Sequence, residues 1–174
     1  MTPLSTAQEV FVGKRFRVVR HTQRLPDGTT AQRETVVHPG AVTILPILDD
    51  GRVCLIRNYR VSVNETLLEL PAGTLEPGED PAACAARELI EETGFRAETW
   101  EKLAEFYMSP GILNERMHVF LAANLTAGPA ELEVGEEIEP VVVTWEQAMD
   151  LTREGRIRDA KTLAGLLFYD RFRR

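Results

Sequence analysis

The sequence predicts a mixed α/β fold, and three observations carry that expectation. Short runs of strand length recur before residue 71 and again between about 100 and 144, each bounded by glycine, proline, asparagine or aspartate. One helix with clear start and stop signals, Asp80-Pro81 and Gly94, stands between these strands. Two further helical segments close the chain. Strands and helices interleave along the sequence, as an α/β domain requires. A length of 174 residues suits one domain with a sizeable core, and residues 1–174 are read as that single domain.

In chain order, Phe16 to Gln23 alternates as a strand, Pro26-Asp27-Gly28 turns, and Thr30 to Val37 returns. A β-hairpin of about residues 14–38 therefore precedes the main body, and His38-Pro39-Gly40 ends it. Ala41 to Leu48 is an apolar run typical of a buried strand, Asp49-Asp50-Gly51 turns, and Arg52 to Ile56 is the next strand. Arg57-Asn58-Tyr59-Arg60 comes next, and then a strand at about Thr66 to Leu70. Asp80 then serves as N-cap, with Pro81 at the first helical position and Gly94 just past the end. Trp100 to Met108 and Met117 to Ala122 read as strands around the loop that begins Ser109-Pro110-Gly111. Glu131 to Glu139 reads as an exposed acidic loop, and Val141 to Thr144 as a short strand. Helices follow at about Trp145 to Glu154 and Ala160 to Phe172.

Composition narrows the function classes. Twenty basic against 27 acidic residues leave a net charge of −7, poorly suited to non-specific grip on nucleic acid. Cys54 and Cys84 have no metal-ligand spacing and are expected to be buried, reduced thiols. No signal-like leader and no membrane-length apolar run is present, so a cytoplasmic location away from membranes is expected.

The central helix carries the chemistry. With Glu88 at zero on a helical wheel, Glu91 falls at about 300° and Glu92 at about 40°, so three carboxylates share an arc roughly 100° wide. Leu89, Ala86, Ala82, Ile90 and Thr93 are expected on the opposite, packed arc. Like charges at these spacings repel by a few tenths of a kcal/mol per pair. A divalent cation would reverse that sign, because hard cations seek converging carboxylate oxygens. Glu88, Glu91 and Glu92 are therefore candidate metal ligands, against the plainer alternative of a solvated acidic face.

The spacing G-x5-E-x7-R-E-U-x-E-E-x-G-U, with U a bulky apolar residue, is met by Gly73, Glu79, Arg87, Glu88, Leu89, Glu91, Glu92, Gly94 and Phe95. A chance match to this pattern is on the order of one in ten million. The segment 73–95 resembles the box of the Nudix hydrolases. The resemblance covers about residues 40 to 172 and implies an α/β/α sandwich around a mixed β-sheet. The hairpin ahead of it is similar to the N-terminal extension of the ADP-ribose pyrophosphatase branch, which implies a homodimer.

The resemblance also implies roles. Glu88, Glu91 and Glu92 would hold metal, Mg²⁺ first and Mn²⁺ as the alternative, joined by the backbone carbonyl of Ala72. Glu91 and Glu92 are counted among the catalytic residues as well, and Gly73, Glu79 and Arg87 as structural support of the site. Pro110 stands sixteen residues after Gly94, similar to the marker of ADP-ribose pyrophosphatases, and places Ser109, Pro110 and Gly111 at the substrate. Arg57 and Arg60 resemble the branch's Arg-Gln-Tyr-Arg segment, with Asn58 in place of glutamine. Arginine suits a diphosphate because its planar fork gives bidentate, charged hydrogen bonds. Glu69 resembles a family glutamate near substrate, although its alternation with apolar neighbours equally fits an exposed strand face. Glu136, then Glu137, would supply the general base from the acidic loop.

The expected activity is Mg²⁺-dependent hydrolysis of the diphosphate of ADP-ribose to AMP and ribose 5-phosphate. The competing readings are a broader nucleotide-sugar or dinucleotide diphosphatase and a non-catalytic ADP-ribose-sensing module.

Overall fold

The computed structural model describes residues 7–132, 135 and 137–174. Ten strands and three helices follow in chain order among them. The strands are β1 (Gln8–Val12), β2 (Arg17–Arg24), β3 (Thr30–Val37), β4 (Ala41–Pro46), β5 (Val53–Arg60), β6 (Glu65–Glu69) and β7 (Ala72–Thr74), then β8 (Phe95–Tyr107), β9 (Arg116–Ala127) and β10 (Ile138–Val143). The helix α1 (Pro81–Thr93) lies between β7 and β8, and α2 (Trp145–Arg153) and α3 (Ala160–Phe172) close the chain. The strands form three sheets, ordered β1-β2-β3, β10-β5-β6 and β7-β4-β9-β8. Only the β4–β9 pairing is parallel among those described, so the central sheet is mixed.

β4 explains why the layers stack as they do. All six of its residues are buried, as expected for a strand covered on both faces. Val42 and Ile44 join Cys84, Ala85 and Leu89 of α1, with Phe120 and Ala122, in one apolar cluster. Leu45 faces the other way, into a cluster with Val53, Leu55, Leu70, Val119, Trp145, Ala148, Ile157 and Leu166. The result is α1 on one side of the central sheet and the second sheet with α2 and α3 on the other. Truncating a side chain in either cluster, such as Leu89, costs about 2–5 kcal/mol.

Local signals set the helix ends. Asp80 Oδ1 accepts from Ala82 N at 2.9 Å, and Gly94 closes α1 in the left-handed region at φ 74°. Thr144 and Gln147 form a reciprocal capping box at the start of α2. Asp159 caps α3 by accepting from both the backbone N–H and the hydroxyl of Thr162.

The N-terminal extension is a three-stranded sheet rather than a hairpin, because β1 pairs with β2. β5 runs on through Arg60, past the expected strand end at Ile56, so Arg57-Asn58-Tyr59-Arg60 is strand. β7 exists through pairing with β4 and not through strand propensity of Ala-Gly-Thr. Both cysteines are free and buried, and burial pushes each thiol up to about 12. Among the described residues no helix is long and apolar enough to cross a membrane.

Candidate active site

The acidic face of α1 is not a solvated face. Cys84, Ala85, Leu89, Glu92 and Thr93 are the buried residues of the helix. On the wheel with Glu88 at zero these fall at about 320°, 60°, 100°, 40° and 140°. The packed arc keeps Leu89 and Thr93 as expected but extends over Glu88 and Glu92, with Glu91 at its edge, which corrects the expectation that it lies opposite the carboxylates. Ala82, assigned to the packed side, is exposed. Small residues at 84 and 85 let the helix approach the sheet closely, and the glutamates one and two turns on point into the edge of that contact.

Each carboxylate there has a partner. Arg87 grips Glu79 with both ends of its fork, Nε to Oε1 at 3.0 Å and Nη2 to Oε2 at 3.1 Å. Its Nη1 donates to Glu88 Oε1 at 2.7 Å and to Glu91 Oε2 at 2.8 Å. One guanidinium thus ties the loop before α1 to two carboxylates on it. The Arg87 fork holds the Glu79 carboxyl at about 2, well below its ordinary 4.5, and Glu79 in turn raises the guanidinium. Glu79 Oε2 also accepts from Glu76 N, which closes the loop on itself. Glu92, only 3% exposed, accepts from the backbone N–H of Ala72 at 2.8 Å.

Gly73 lies against the helix so closely that a Cβ there would sit 1.8 Å from Glu88 Oε1. Ala72, Gly73, Arg87, Glu88 and Glu92 share a cleft of about 410 Å³ with Asn58 and Arg60. Arg60 enters this cleft with its fork fixed from behind. Its Nε and Nη2 donate to the two oxygens of Glu69 at 2.8 and 2.7 Å. Glu69 is fully buried at the end of β6, which removes the exposed-face alternative. It also accepts from Lys161 Nζ of α3 at 2.5 Å. Burial pushes the Glu69 carboxyl up, but the Arg60 fork and the Lys161 and Arg60 charges outweigh it, and its pKa lies below the ordinary value.

Arg57, Glu137 and the Ser109-Pro110-Gly111 segment are not in this cleft of their own chain. Arg57 is 56% exposed and projects from the opposite face of β5, since residues three apart on a strand point opposite ways. It lines an outer hollow with Tyr59, Thr66, Glu137 and Glu139, and its Nε is 3.7 Å from Glu139. Glu137 is therefore grouped with Arg57 and not with the box. Glu136 lies outside the described residues. Ser109, Pro110 and Gly111 form a turn whose Ser109 carbonyl accepts from Ile112 N and Leu113 N. That loop packs on β3, where Val36 N donates to Ile112 O, and Pro110 lines a separate hollow with Thr35, Tyr107 and Asn114. Asn114 Oδ1 accepts from His38 N at 2.8 Å and pins the loop.

Sequence reasoning missed Lys14 and Arg15, which follow Gly13 between β1 and β2 and line the cleft. An adjacent basic pair in a turn was the available signal. It also missed Lys161, for which no local signal exists.

The donor set fits a hard divalent cation: oxygen ligands, one glycine floor and a neighbouring arginine that donates to Glu88 and Glu91. As they stand, no three acidic, histidine or cysteine side chains among the described residues are grouped to hold an ion. Closing Glu88 and Glu91 around one calls for rotating them off Arg87, a change of side-chain angles alone.

Residues 37–166 match the NUDIX domain, three quarters of the chain, and the chain belongs to that family. It is 40% identical over 157 residues to the ADP-ribose pyrophosphatase of Bacillus subtilis (strain 168), covering 89% of this chain and 85% of that protein. It is 35% identical over 163 residues to the methanol dehydrogenase activator of Bacillus methanolicus, covering 92% and 88%. Among solved structures it is similar to one described as an ADP compounds hydrolase, with a TM-score of 0.84, 27% identity and coverage of 96% and 91%.

Proposed function

We propose that this chain is a Nudix hydrolase that cleaves the diphosphate of ADP-ribose to AMP and ribose 5-phosphate, using a divalent metal ion, Mg²⁺ ahead of Mn²⁺. The observation that carries the reading is one cleft that joins Glu88 and Glu92 of the box helix to the guanidinium of Arg60. The ADP-ribose pyrophosphatase relative supports the choice of substrate.

Glu88, Glu91 and Glu92 hold the metal in this reading, with the carbonyl of Ala72 beside them. When bound, a divalent cation lowers the pKa of a water, neutralises phosphate oxygens and acts as a template. Arg60 binds a phosphate through N–H donors that Glu69 does not occupy, since a guanidinium has five and Glu69 takes two. Lys14 and Arg15 add positive charge at the cleft and favour entry of an anion. Glu79 and Arg87 keep the loop and helix in register. Glu136, then Glu137, takes the proton from the attacking water.

The reading treats residues 1–174 as a single domain working as a cytoplasmic homodimer. Exposed Val10, Phe11, Val12 and Phe16 on the N-terminal sheet support dimerisation, because contiguous exposed apolar residues favour a partner surface. Pairing of two copies also offers Arg57, Glu137 and the Ser109-Pro110-Gly111 loop a route to substrate that their own chain's cleft does not.

The test is Glu92→Gln, with turnover and ADP-ribose binding measured on the same preparation. The hydrolase reading expects kcat to fall by about three orders of magnitude while binding stays within about ten-fold. Turnover unchanged by Glu92→Gln would sink the role given to the box carboxylates, and wild type that binds ADP-ribose without turning it over would leave the sensing-module reading standing.

A further inference from the structure

Behind Arg60 lies a buried ion network that the chemistry of the cleft does not itself require. Glu69 is 1% exposed and receives three N–H donors: Arg60 Nε, Arg60 Nη2 and Lys161 Nζ. Lys161 is itself buried, and its second partner is Asp159 Oδ1 at 2.9 Å. The next residue, Thr162, accepts from the backbone N–H of Leu70 at 2.8 Å, one position beyond Glu69. Adjacent residues of the first turn of α3 therefore seize the end of β6, one by charge and one by a neutral hydrogen bond.

A buried lysine is costly unless paired, and the bidentate fork of Arg60 would alone satisfy both oxygens of Glu69. Lys161 adds restraint. With Arg60 as its only partner, the Glu69 carboxylate can turn about its own side chain and carry the guanidinium with it. Held also from α3, it is fixed on two sides, and the plane of Arg60 is fixed by it. Arg60 keeps the rest of its donors at the cleft, where none has a hydrogen-bond partner among the described residues.

We propose that Lys161 is a positioning residue for Arg60, acting through the buried carboxylate of Glu69 to set the arginine's plane for a diphosphate. This rests on the reading of the cleft as a diphosphate site. Its effect falls on substrate binding and not on the attack by water, because Lys161 reaches neither the substrate nor the box carboxylates.

The experiment measures kcat and KM for ADP-ribose, the calorimetric Kd for ADP, and the melting temperature, on the full chain. The proteins are wild type, Lys161→Met, Lys161→Gln, Lys161→Arg and Thr162→Val. The expected result is a KM raised about ten-fold or more in Lys161→Met, with kcat within about three-fold and ADP binding weakened in parallel. Lys161→Arg recovers most of the KM, and Thr162→Val melts lower with KM unchanged. Should Lys161→Met fail to fold, Lys161→Gln gives the same reading, since it keeps a donor and loses the charge.

A KM and an ADP Kd within two-fold of wild type in the Met and Gln variants would overturn the proposal, as would an equal loss in Lys161→Arg. The two readings fail separately. Wild type inert on ADP-ribose, with ADP binding still weakened by Lys161→Met, removes the activity and leaves the positioning role. Active wild type with an unmoved KM in the variants does the reverse.

Discussion

Gly73 sits directly against the carboxylate of Glu88: a Cβ on Gly73 would lie 1.8 Å from both Cδ and Oε1 of that side chain. No methyl fits there unless Glu88 moves. The atoms in the way are the far end of a flexible side chain, and Gly73 does not need the left-handed region, so the fold can absorb an alanine. Gly73→Ala is therefore expected to change stability by less than about 1 kcal/mol and to lower kcat by about 100-fold. Urea melts beside steady-state kinetics check this; parallel losses in both would place the role of Gly73 in the fold alone.

Arg87 and Glu79 act as one unit. Glu79→Gln and Arg87→Lys are each expected to lower kcat by about ten-fold to 100-fold, because a lysine cannot span Glu79, Glu88 and Glu91 at once. The double variant should lose little more than the worse single, a coupling of about 1–2 kcal/mol. Additive losses in the kinetic cycle would separate the two residues.

Arg57 and Arg60 differ although the sequence pairs them. Arg60 faces the cleft from a fixed fork, and Arg57 stands on the other side of β5. Arg60→Ala is expected to raise KM by about 50-fold or more, and Arg57→Ala, whose route to substrate runs across a dimer, by a smaller factor of about five-fold to ten-fold. Comparable effects on KM would mean that the two arginines share one cleft.

Acid should weaken this protein through its paired glutamates. Glu79 has a folded pKa of about 2 against an ordinary 4.5, and that of Glu69 is lowered in the same direction. A depressed carboxylate contributes stability that is complete above its unfolded pKa and vanishes as pH falls through the folded one. The stability difference between wild type and Glu79→Gln is therefore expected to be about 1–3 kcal/mol at pH 7 and to shrink between about pH 4.5 and 2. Denaturant melts across that range read it directly, and a gap that does not close in acid contradicts the assignment.

What the sequence disclosed follows from which forces are local. The bounds of α1 were legible because Asp80, Pro81 and Gly94 act within one turn of themselves. β1 was missed because Val10-Phe11-Val12 is too short to show a period, and β7 because it exists only by pairing with β4. The box residues were legible from spacing, but the face of α1 was not: a wheel groups side chains without saying which arc the small Cys84 and Ala85 let against the sheet. The opposite facing of Arg57 and Arg60 follows from their separation once β5 is known to include both. The Glu69–Lys161 pair spans 92 residues and is created by tertiary packing of α3, so no local pattern announces it.

The central claim is tested most directly by one comparison of kcat/KM for ADP-ribose, GDP-mannose, NADH and FAD, each with Mg²⁺ and with a chelator. The account predicts the highest value for ADP-ribose, by about ten-fold or more, with AMP and ribose 5-phosphate as products and activity abolished by the chelator. A higher value for any other substrate, or turnover that persists without a divalent ion, would contradict it.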